Sequence, residues 1–132
     1  MKTLMRLPVI LTTVLTFSTS TYAQITTQDL NTQTPTEVAN KLLGNGITIS
    51  NVTYTGDNSA GGTFNDGTGI VGIENGVILS SGKIADVVGP NNSDGMTTNF
   101  NRAGDPDLQT LIPGYPTHDA AVLEFDFVPL FS

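Results

Sequence analysis

Carboxylate and amide side chains are the groups of this sequence best suited to chemistry, and they concentrate in its Gly-rich stretches. Calcium selects such oxygen ligands on loops, and it needs six to eight of them at about 2.3–2.6 Å. The candidates are Asp57, Asn65, Asp66, Asn91, Asn92, Asp94, Asp105 and Asp107. The same residue types also form turns and helix caps. We expect turn chemistry to account for most of them, with calcium as the one cofactor left open.

An EF-hand does not fit this set. When Asn92, Asp94 and Gly95 occupy loop positions 3, 5 and 6, Pro90 falls at position 1 and Asn101 at position 12, where Asp and Glu are required. The absence of Cys excludes thiolate zinc sites, iron–sulfur clusters and a cysteine nucleophile. Only a calcium site of another kind therefore stays open.

His118 is the only histidine, and its neighbour Asp119 suggests a Ser-His-Asp triad. The sequence contains no G-x-S-x-G elbow, because Ser80 and Ser81 lie in a predicted hairpin strand and not at a strand-to-helix turn. A triad is defined by geometry and not by sequence position. We therefore expect a structural role for His118.

Glu124 and Asp126 are two residues apart on a predicted strand. Paired carboxylates catalyse glycoside hydrolysis when they are about 5–9.5 Å apart. However, alternation places such a pair on the wet face of any strand. We predict a solvated face and no catalytic residue, and we keep a secreted hydrolase or a carbohydrate-binding accessory domain as the alternative function.

The elements that would position these residues begin with one short helix, predicted over Pro35–Leu43. Thr34 fits the N-cap, proline the first helical position, and Glu37 completes a capping box. Asp105 followed by Pro106 predicts a second helix start of the same kind. The helix Pro35–Leu43 is too short to be stable alone, so it must pack against other elements.

The remaining pattern is typical of β structure. Apolar and polar residues alternate over 47–54 with a change of phase near Asn51, which indicates a bulge. Two short apolar runs within residues 69–81, separated by the turn residues Asn75-Gly76, predict a hairpin. The clearest strand is Ala121–Phe127. We predict a mainly β, sandwich-like domain with one short N-terminal helix.

Residues 1–23 have the order of a secretory signal peptide. Two basic residues precede the apolar run Leu7–Phe17, which is shorter than the roughly 20 residues of a transmembrane helix. The small residues Thr21 and Ala23 suit the cleavage subsites. We therefore predict cleavage after Ala23 and export from the cell.

The chain after Ala23 is acidic. Its only cations are Lys41, Lys83 and Arg102, against 12 carboxylates, which leaves a net charge of −9. This balance excludes nucleic-acid binding, which needs a basic surface. No second long apolar segment follows, so we predict no transmembrane segment in the exported chain. Residues 24–33 are rich in Thr and Gln, and we predict a flexible leader there.

Four blocks of the sequence, taken in order, resemble the choice-of-anchor L domain of bacterial surface proteins. The blocks are LLGNGITISNVTYTG (42–56), GI (69–70) with GVILSSG (76–82), VGPNN (88–92) with GDPDL (104–108), and DAAVLEFDFVP (119–129). Together they span about residues 36–129.

The resemblance implies an exported β-rich domain without an assigned activity. It also implies further strands and an anchoring signal after the last block, so we expect residues 34–132 to be the front part of a truncated domain. Together with the predicted export, this favours a non-catalytic cell-surface or extracellular module. Such a module would act in adhesion, interaction or structure, with an extracellular protein or polysaccharide as its partner.

Overall fold

The computed structural model describes residues 24–130, so the predicted signal peptide and its cleavage site lie outside the described residues. The strands are β1 (Thr26–Asp29), β2 (Ile47–Thr55), β3 (Gly61–Asn65), β4 (Gly76–Leu79) and β5 (Val122–Pro129). The helices are α1 (Pro35–Asn40) and α2 (Pro106–Leu111), with 3-10 turns at Asn58–Ala60 and Ile84–Val88.

The strands form two antiparallel sheets. One sheet has three strands in the order β1-β3-β4, and the other pairs β2 with β5. Helix α1 contacts β2 and β5 of one sheet and β3 of the other, so it lies between them. The mainly β fold class with a short N-terminal helix is therefore confirmed.

Helix α1 begins as its sequence predicts. The backbone amide of Thr34 donates to the Glu37 carboxylate at 2.7 Å, and the amide of Glu37 donates back to the Thr34 hydroxyl at 3.2 Å. The amide of Thr34, and then its hydroxyl, which donates to the same carboxylate oxygen at 2.9 Å, hold the pKa of Glu37 below its usual value. The helix ends at Asn40 and not at Leu43, and it buries Val38 and Ala39 completely.

The predicted flexible leader at residues 24–33 is wrong. Within that segment β1 pairs with β3, and the flanking Ile25 and Leu30 are buried. The strands approach closely at Gly62, where a Cβ atom would overlap the carbonyl oxygen of Gln28. The small core consists of Ile25, Leu30, Val38, Ala39, Ala60, Phe64 and Ile84. The segment is thus a structural part of the core.

The bulge predicted near Asn51 is confirmed. The register of β2 against β5 shifts between Ser50, which faces Asp126, and Thr53, which faces Glu124. Asn51 adopts a φ of +51°, and its side-chain amide donates to the Asp126 carboxylate at 2.6 Å. An Asn tolerates this left-handed conformation better than most residues do. The bulge therefore sets which residues of the two strands face each other.

The hairpin predicted over residues 69–81 is wrong. The carbonyl of Gly67 accepts hydrogen bonds from the amides of Ile70, Val71 and Gly72, which closes a tight turn where a strand was expected. Only the second half of the segment is a strand, and its partner is β3. Apolar residues alone do not distinguish a strand from a turn whose backbone bonds are satisfied locally.

Candidate functional site

Asp119 is the most buried carboxylate among residues 24–130, and it binds main-chain groups. Its side chain, 5% exposed as a residue, accepts the amide of Phe100 at 3.1 Å and the amide of Arg102 at 2.7 Å. Its own amide donates to the carbonyl of Arg102 at 3.2 Å. The residue has a φ of +54°, which turns the carboxylate toward this loop. Asp119 therefore fixes the path of residues 100–102.

The side chain of Arg102 extends from this loop to Asp57, in the connection after β2. Its Nε and Nη2 atoms donate to one carboxylate oxygen at 3.2 and 3.1 Å, in the one ion pair among the described residues. The other oxygen accepts the amide of Ser59 at 3.0 Å. The pKa of Asp57 lies below its usual value because hydrogen bonds stabilise its charged form. The amide of Ser59 has the largest effect, and the guanidinium of Arg102 adds to it.

Tyr54 joins the same cluster from β2. Its hydroxyl donates to the carbonyl of Asp57 at 2.8 Å, and its ring packs over Gly61 closely enough that a Cβ there would collide. Burial, and then the negative charge of Asp57, raise the pKa of Tyr54. The phenol is therefore neutral at ordinary pH and acts as a hydrogen-bond donor. The cluster ties β2, the start of β3 and loop 100–102 together.

The structural role expected of His118 stays a prediction. Its backbone forms an isolated bridge with Ala103, and its side chain is exposed. Both carboxylate oxygens of Asp119 accept hydrogen bonds from backbone amides, and the Ser80 hydroxyl accepts one from the amide of Gly82. The acid and the serine of the hypothetical triad are thus engaged in main-chain contacts.

A cleft of about 200 Å³ lies next to the Arg102 cluster. Arg102 is one of its lining residues, and its side chain is 53% exposed. Asp105 lines the same cleft, but its carboxylate accepts the amide of Leu108 at 2.9 Å as the N-cap of α2, as the sequence predicts. The walls are otherwise main chain and small side chains. An acidic ligand here would have to compete with Asp57 for the guanidinium.

The loop residues considered for calcium are dispersed. Asp66 accepts the Thr26 hydroxyl at 3.0 Å, and Asn91 accepts the amide of Ser93 at 3.5 Å in a local turn. Asn91 and Asp105 thus make the local turn and cap contacts expected of such residues, whereas the bond of Asp66 and the ion pair of Asp57 join residues 40 and 45 positions apart. No group of three or more His, Asp or Glu side chains positioned to hold a metal occurs in the described part of the chain.

Glu124 and Asp126 lie on the same face of β5 and are exposed. Their cross-strand neighbours on β2 are Thr53 and Ser50. The pair therefore lies on an open, hydroxyl-rich sheet face and not on opposite walls of a cleft. This geometry matches the predicted solvated face.

Sequence reasoning missed the role of Asp86. This residue, in the 3-10 turn after β4, accepts both the amide and the hydroxyl of Thr98, at 3.2 and 2.8 Å. The contact holds the long loop before Thr98 beside the turn. A polar groove of about 400 Å³ lies between them and includes Lys83 and Asn91. The spacing of 12 residues between Asp86 and Thr98 carries no local signal.

An apolar groove was missed for a different reason. It measures about 290 Å³ and is lined by Ile25, Phe64, Ile70, Val71, Ile73, Val77, Ile78 and Val87. Ile70, Val71 and Ile73 are each at least half exposed. Their sequence predicted one strand of a hairpin, whereas the structure has the turn closed by Gly67 at this place. Exposed apolar residues that cluster in this way are typical of interaction surfaces.

Comparison with protein families confirms the resemblance seen in the four sequence blocks. A model of the Choice-of-anchor L domain matches residues 24–132. No match was found among curated proteins or among solved structures. Across residues 24–130, no helix combines the length and apolar character needed to cross a membrane. The family is one of extracellular or surface modules and is not a known enzyme family. Because the match covers most of the sequence, the chain belongs to the Choice-of-anchor L domain family.

Proposed function

We propose that this chain is an exported, non-catalytic module that acts outside the cell by binding another macromolecule. The observation that carries the proposal is the family match over residues 24–132. The order of residues 1–23, typical of a secretory signal peptide, supports export.

The arrangement of the polar residues supports a binding role over a catalytic one. Asp119 and Asp57 stabilise the main chain and an ion pair, and Glu124 and Asp126 occupy an open sheet face. Catalytic carboxylates normally lie in a pocket that excludes water and shifts their pKa values. The exposed apolar groove supplies the kind of surface that binding uses.

Export is tested by expressing the whole 132-residue chain in a bacterium with an active secretory pathway. We expect the extracytoplasmic fraction to contain a chain whose N-terminal residue, identified by mass spectrometry, is Gln24. Leu11→Arg, which interrupts the apolar run, should leave the uncleaved precursor inside the cell. Thr36→Arg, outside the run, is the matched control. Retention of the unchanged chain inside the cell would contradict export.

Binding is tested by measuring the affinity of the exported chain for a panel of purified extracellular polysaccharides and matrix proteins. We expect saturable binding to at least one of them, weakened by Val71→Asp in the apolar groove and unaffected by Thr110→Asp on α2. Val71 is 55% exposed, so the substitution should leave the fold intact. The absence of saturable binding across the panel would count against the proposal.

The alternative, a secreted hydrolase or its carbohydrate-binding accessory domain, makes a separate prediction. Turnover of a polysaccharide by the purified chain, abolished by Glu124→Gln or Asp126→Asn, would favour the hydrolase. Saturable binding without turnover in both the wild type and these variants would favour a binding module. The two outcomes are distinguished by reducing-sugar release measured on the same samples.

A further inference from the structure

Asn45 and Gly46 lie in the exposed turn before β2, and they carry two groups that can react with each other. In an Asn-Gly pair, the backbone nitrogen of the glycine can close a five-membered ring onto the side-chain carbon of the asparagine. Glycine has no Cβ to obstruct this approach. Asparagine is accordingly among the chemically labile residues of proteins. The local structure decides whether the ring can form in the folded chain.

The backbone of Gly46 is hydrogen-bonded through its carbonyl only. This carbonyl accepts the amide of Leu130 at 2.7 Å. The amide of Gly46 does not donate to Leu130 in return, and no other oxygen within residues 24–130 accepts it. A φ of +87° at Gly46 turns this amide away from the β2–β5 ladder, which starts at Ile47. The nitrogen that would attack is therefore free of a competing acceptor.

The side chain of Asn45 is also unrestrained. It forms no hydrogen bond within the part of the chain that the structure describes, whereas the side chain of Asn51 is held by Asp126 at 2.6 Å. A Cβ built on Gly44, the preceding residue, would meet no atom within 4 Å. The turn has room around it, so the Asn45 side chain can rotate until its Cγ meets the Gly46 nitrogen.

The other Asn-Gly pair of the sequence, Asn75-Gly76, is held by the first sheet. The amide of Ser80 donates to the carbonyl of Ala60 at 2.9 Å, which makes these two residues a hydrogen-bonded pair. Such pairs alternate along an antiparallel ladder. The register of β3 against β4 therefore makes Phe64 and Gly76 a hydrogen-bonded pair as well. The amide of Gly76 is thus engaged where that of Gly46 is free.

Aspartate followed by glycine closes the same ring with loss of water, and both such pairs within residues 24–130 have an engaged glycine amide. In Asp66-Gly67 the amide donates to the carbonyl of Glu74 at 3.0 Å. In Asp94-Gly95 it donates to the hydroxyl of Ser93 at 3.4 Å. Among these four pairs, only Asn45-Gly46 combines a free glycine amide with an unrestrained side chain.

We propose that Asn45 is a site of spontaneous deamidation in the folded chain. The backbone nitrogen of Gly46 forms a bond to Cγ of Asn45, and the bond from Cγ to Nδ2 breaks. Nδ2 leaves as ammonia with the proton that the Gly46 nitrogen loses. Water then opens the cyclic imide at either of its two carbonyl carbons. Opening at Cγ gives an aspartyl residue, and opening at the main-chain carbon gives an isoaspartyl residue.

The isoaspartyl product changes both the charge and the backbone. It adds a carboxylate to a chain that is already strongly acidic. It also lengthens the main chain by one carbon directly before Gly46, whose carbonyl is bonded to Leu130. The reaction therefore alters the start of the β2–β5 ladder in proportion to the age of the molecule. The inference goes beyond the proposed binding function and does not depend on it.

The test follows the purified chain in neutral buffer by peptide mapping with mass spectrometry. We expect the peptide that contains Asn45 to gain the mass that separates aspartate from asparagine, in separable aspartyl and isoaspartyl forms. Conversion at Asn75 should be at least about tenfold slower, because the Gly76 amide must first leave the ladder. Asn45→Gln should abolish the mass gain of this peptide, since glutamine would need a larger ring. Asn75→Gln is the matched control and should leave the gain unchanged.

The same measurement in concentrated urea separates the effect of the structure from that of the sequence. Both Asn-Gly pairs should convert at similar rates there, because unfolding frees both glycine amides. Equal rates at Asn45 and Asn75 in the folded chain would overturn the inference. It would also be overturned if Asn45 converted in urea but stayed intact in the folded chain.

Discussion

Asp119 and Arg102 are joined by two hydrogen bonds that run in opposite directions. The amide of Arg102 donates to the Asp119 carboxylate at 2.7 Å, and the amide of Asp119 donates to the Arg102 carbonyl at 3.2 Å. The side chain of Arg102 is thereby presented to Asp57. One buried carboxylate thus organises the loop that carries the ion pair.

Replacing Asp119 should destabilise the fold more than any other single change to a carboxylate. Asp119→Ala leaves the amides of Phe100 and Arg102 without their acceptor, at a cost of roughly 2–4 kcal/mol. Asp119→Asn keeps one acceptor oxygen and tolerates the positive φ, so its cost should be about half as large. Urea denaturation measures both values. Equal stability of Asp119→Ala and wild type would contradict the assigned role.

Asp57 should contribute to the loss of stability in acid. Its pKa in the folded chain is lower than the ordinary value of 3.8, because the amide of Ser59 and the side chain of Arg102 stabilise its charged form. Its contribution is therefore complete above the unfolded pKa and is lost as the pH falls through the folded pKa.

The measurement is the melting temperature of wild type and Asp57→Asn between pH 2.5 and 7. We expect a constant difference above about pH 5 that shrinks below about pH 4. Asp107→Asn, which carries no such ion pair, serves as the control for the general effect of acid. A difference that grows as the pH falls would reverse the assigned direction.

Gly62→Ala should disrupt the pairing of β1 with β3. The new Cβ would overlap the backbone of Gln28 and Asp29, which cannot move without breaking the ladder. We expect a loss of more than about 2 kcal/mol on unfolding by urea. Gly95→Ala is the matched control, since nothing lies within 4 Å of the added atom. Equal losses in the two variants would show that the close approach is unimportant.

Calcium should not stabilise the chain. The loop carboxylates that sequence patterns favour are spread over separate turns, caps and an ion pair. The melting temperature in 5 mM calcium should therefore equal that in EDTA. A rise of several degrees would require a site in the native state, because a ligand that binds only the folded chain stabilises it by mass action.

Local chemistry made part of this structure predictable. Thr34 and Asp105 cap their helices by contacts with residues no more than three positions away, so both caps could be predicted from the local sequence. The alternation that predicts β5 reflects a strand with one wetter face. The bulge at Asn51 was visible as a change of phase. In each case, residues close in the chain determine the geometry.

Long-range pairing made the rest unpredictable. The strand Thr26–Asp29 is polar, and its partner β3 lies more than thirty residues later, so nothing local marks it as a strand. The same holds for the contact of Asp119 with Arg102, which crosses 17 residues. Candidate site residues were recognised by type, but their partners depend on how distant segments meet.

The order in which the strands pair has a consequence for folding. The β1–β3 pair and the β2–β5 pair interleave along the chain, because β2 lies between β1 and β3 while β5 follows them all. A contiguous fragment that contains one complete sheet therefore includes part of the other, namely β2 in one case and β3 with β4 in the other. Neither sheet can be isolated by truncation. Folding must close loops of widely separated residues, which places the chain among slow-folding topologies of high contact order.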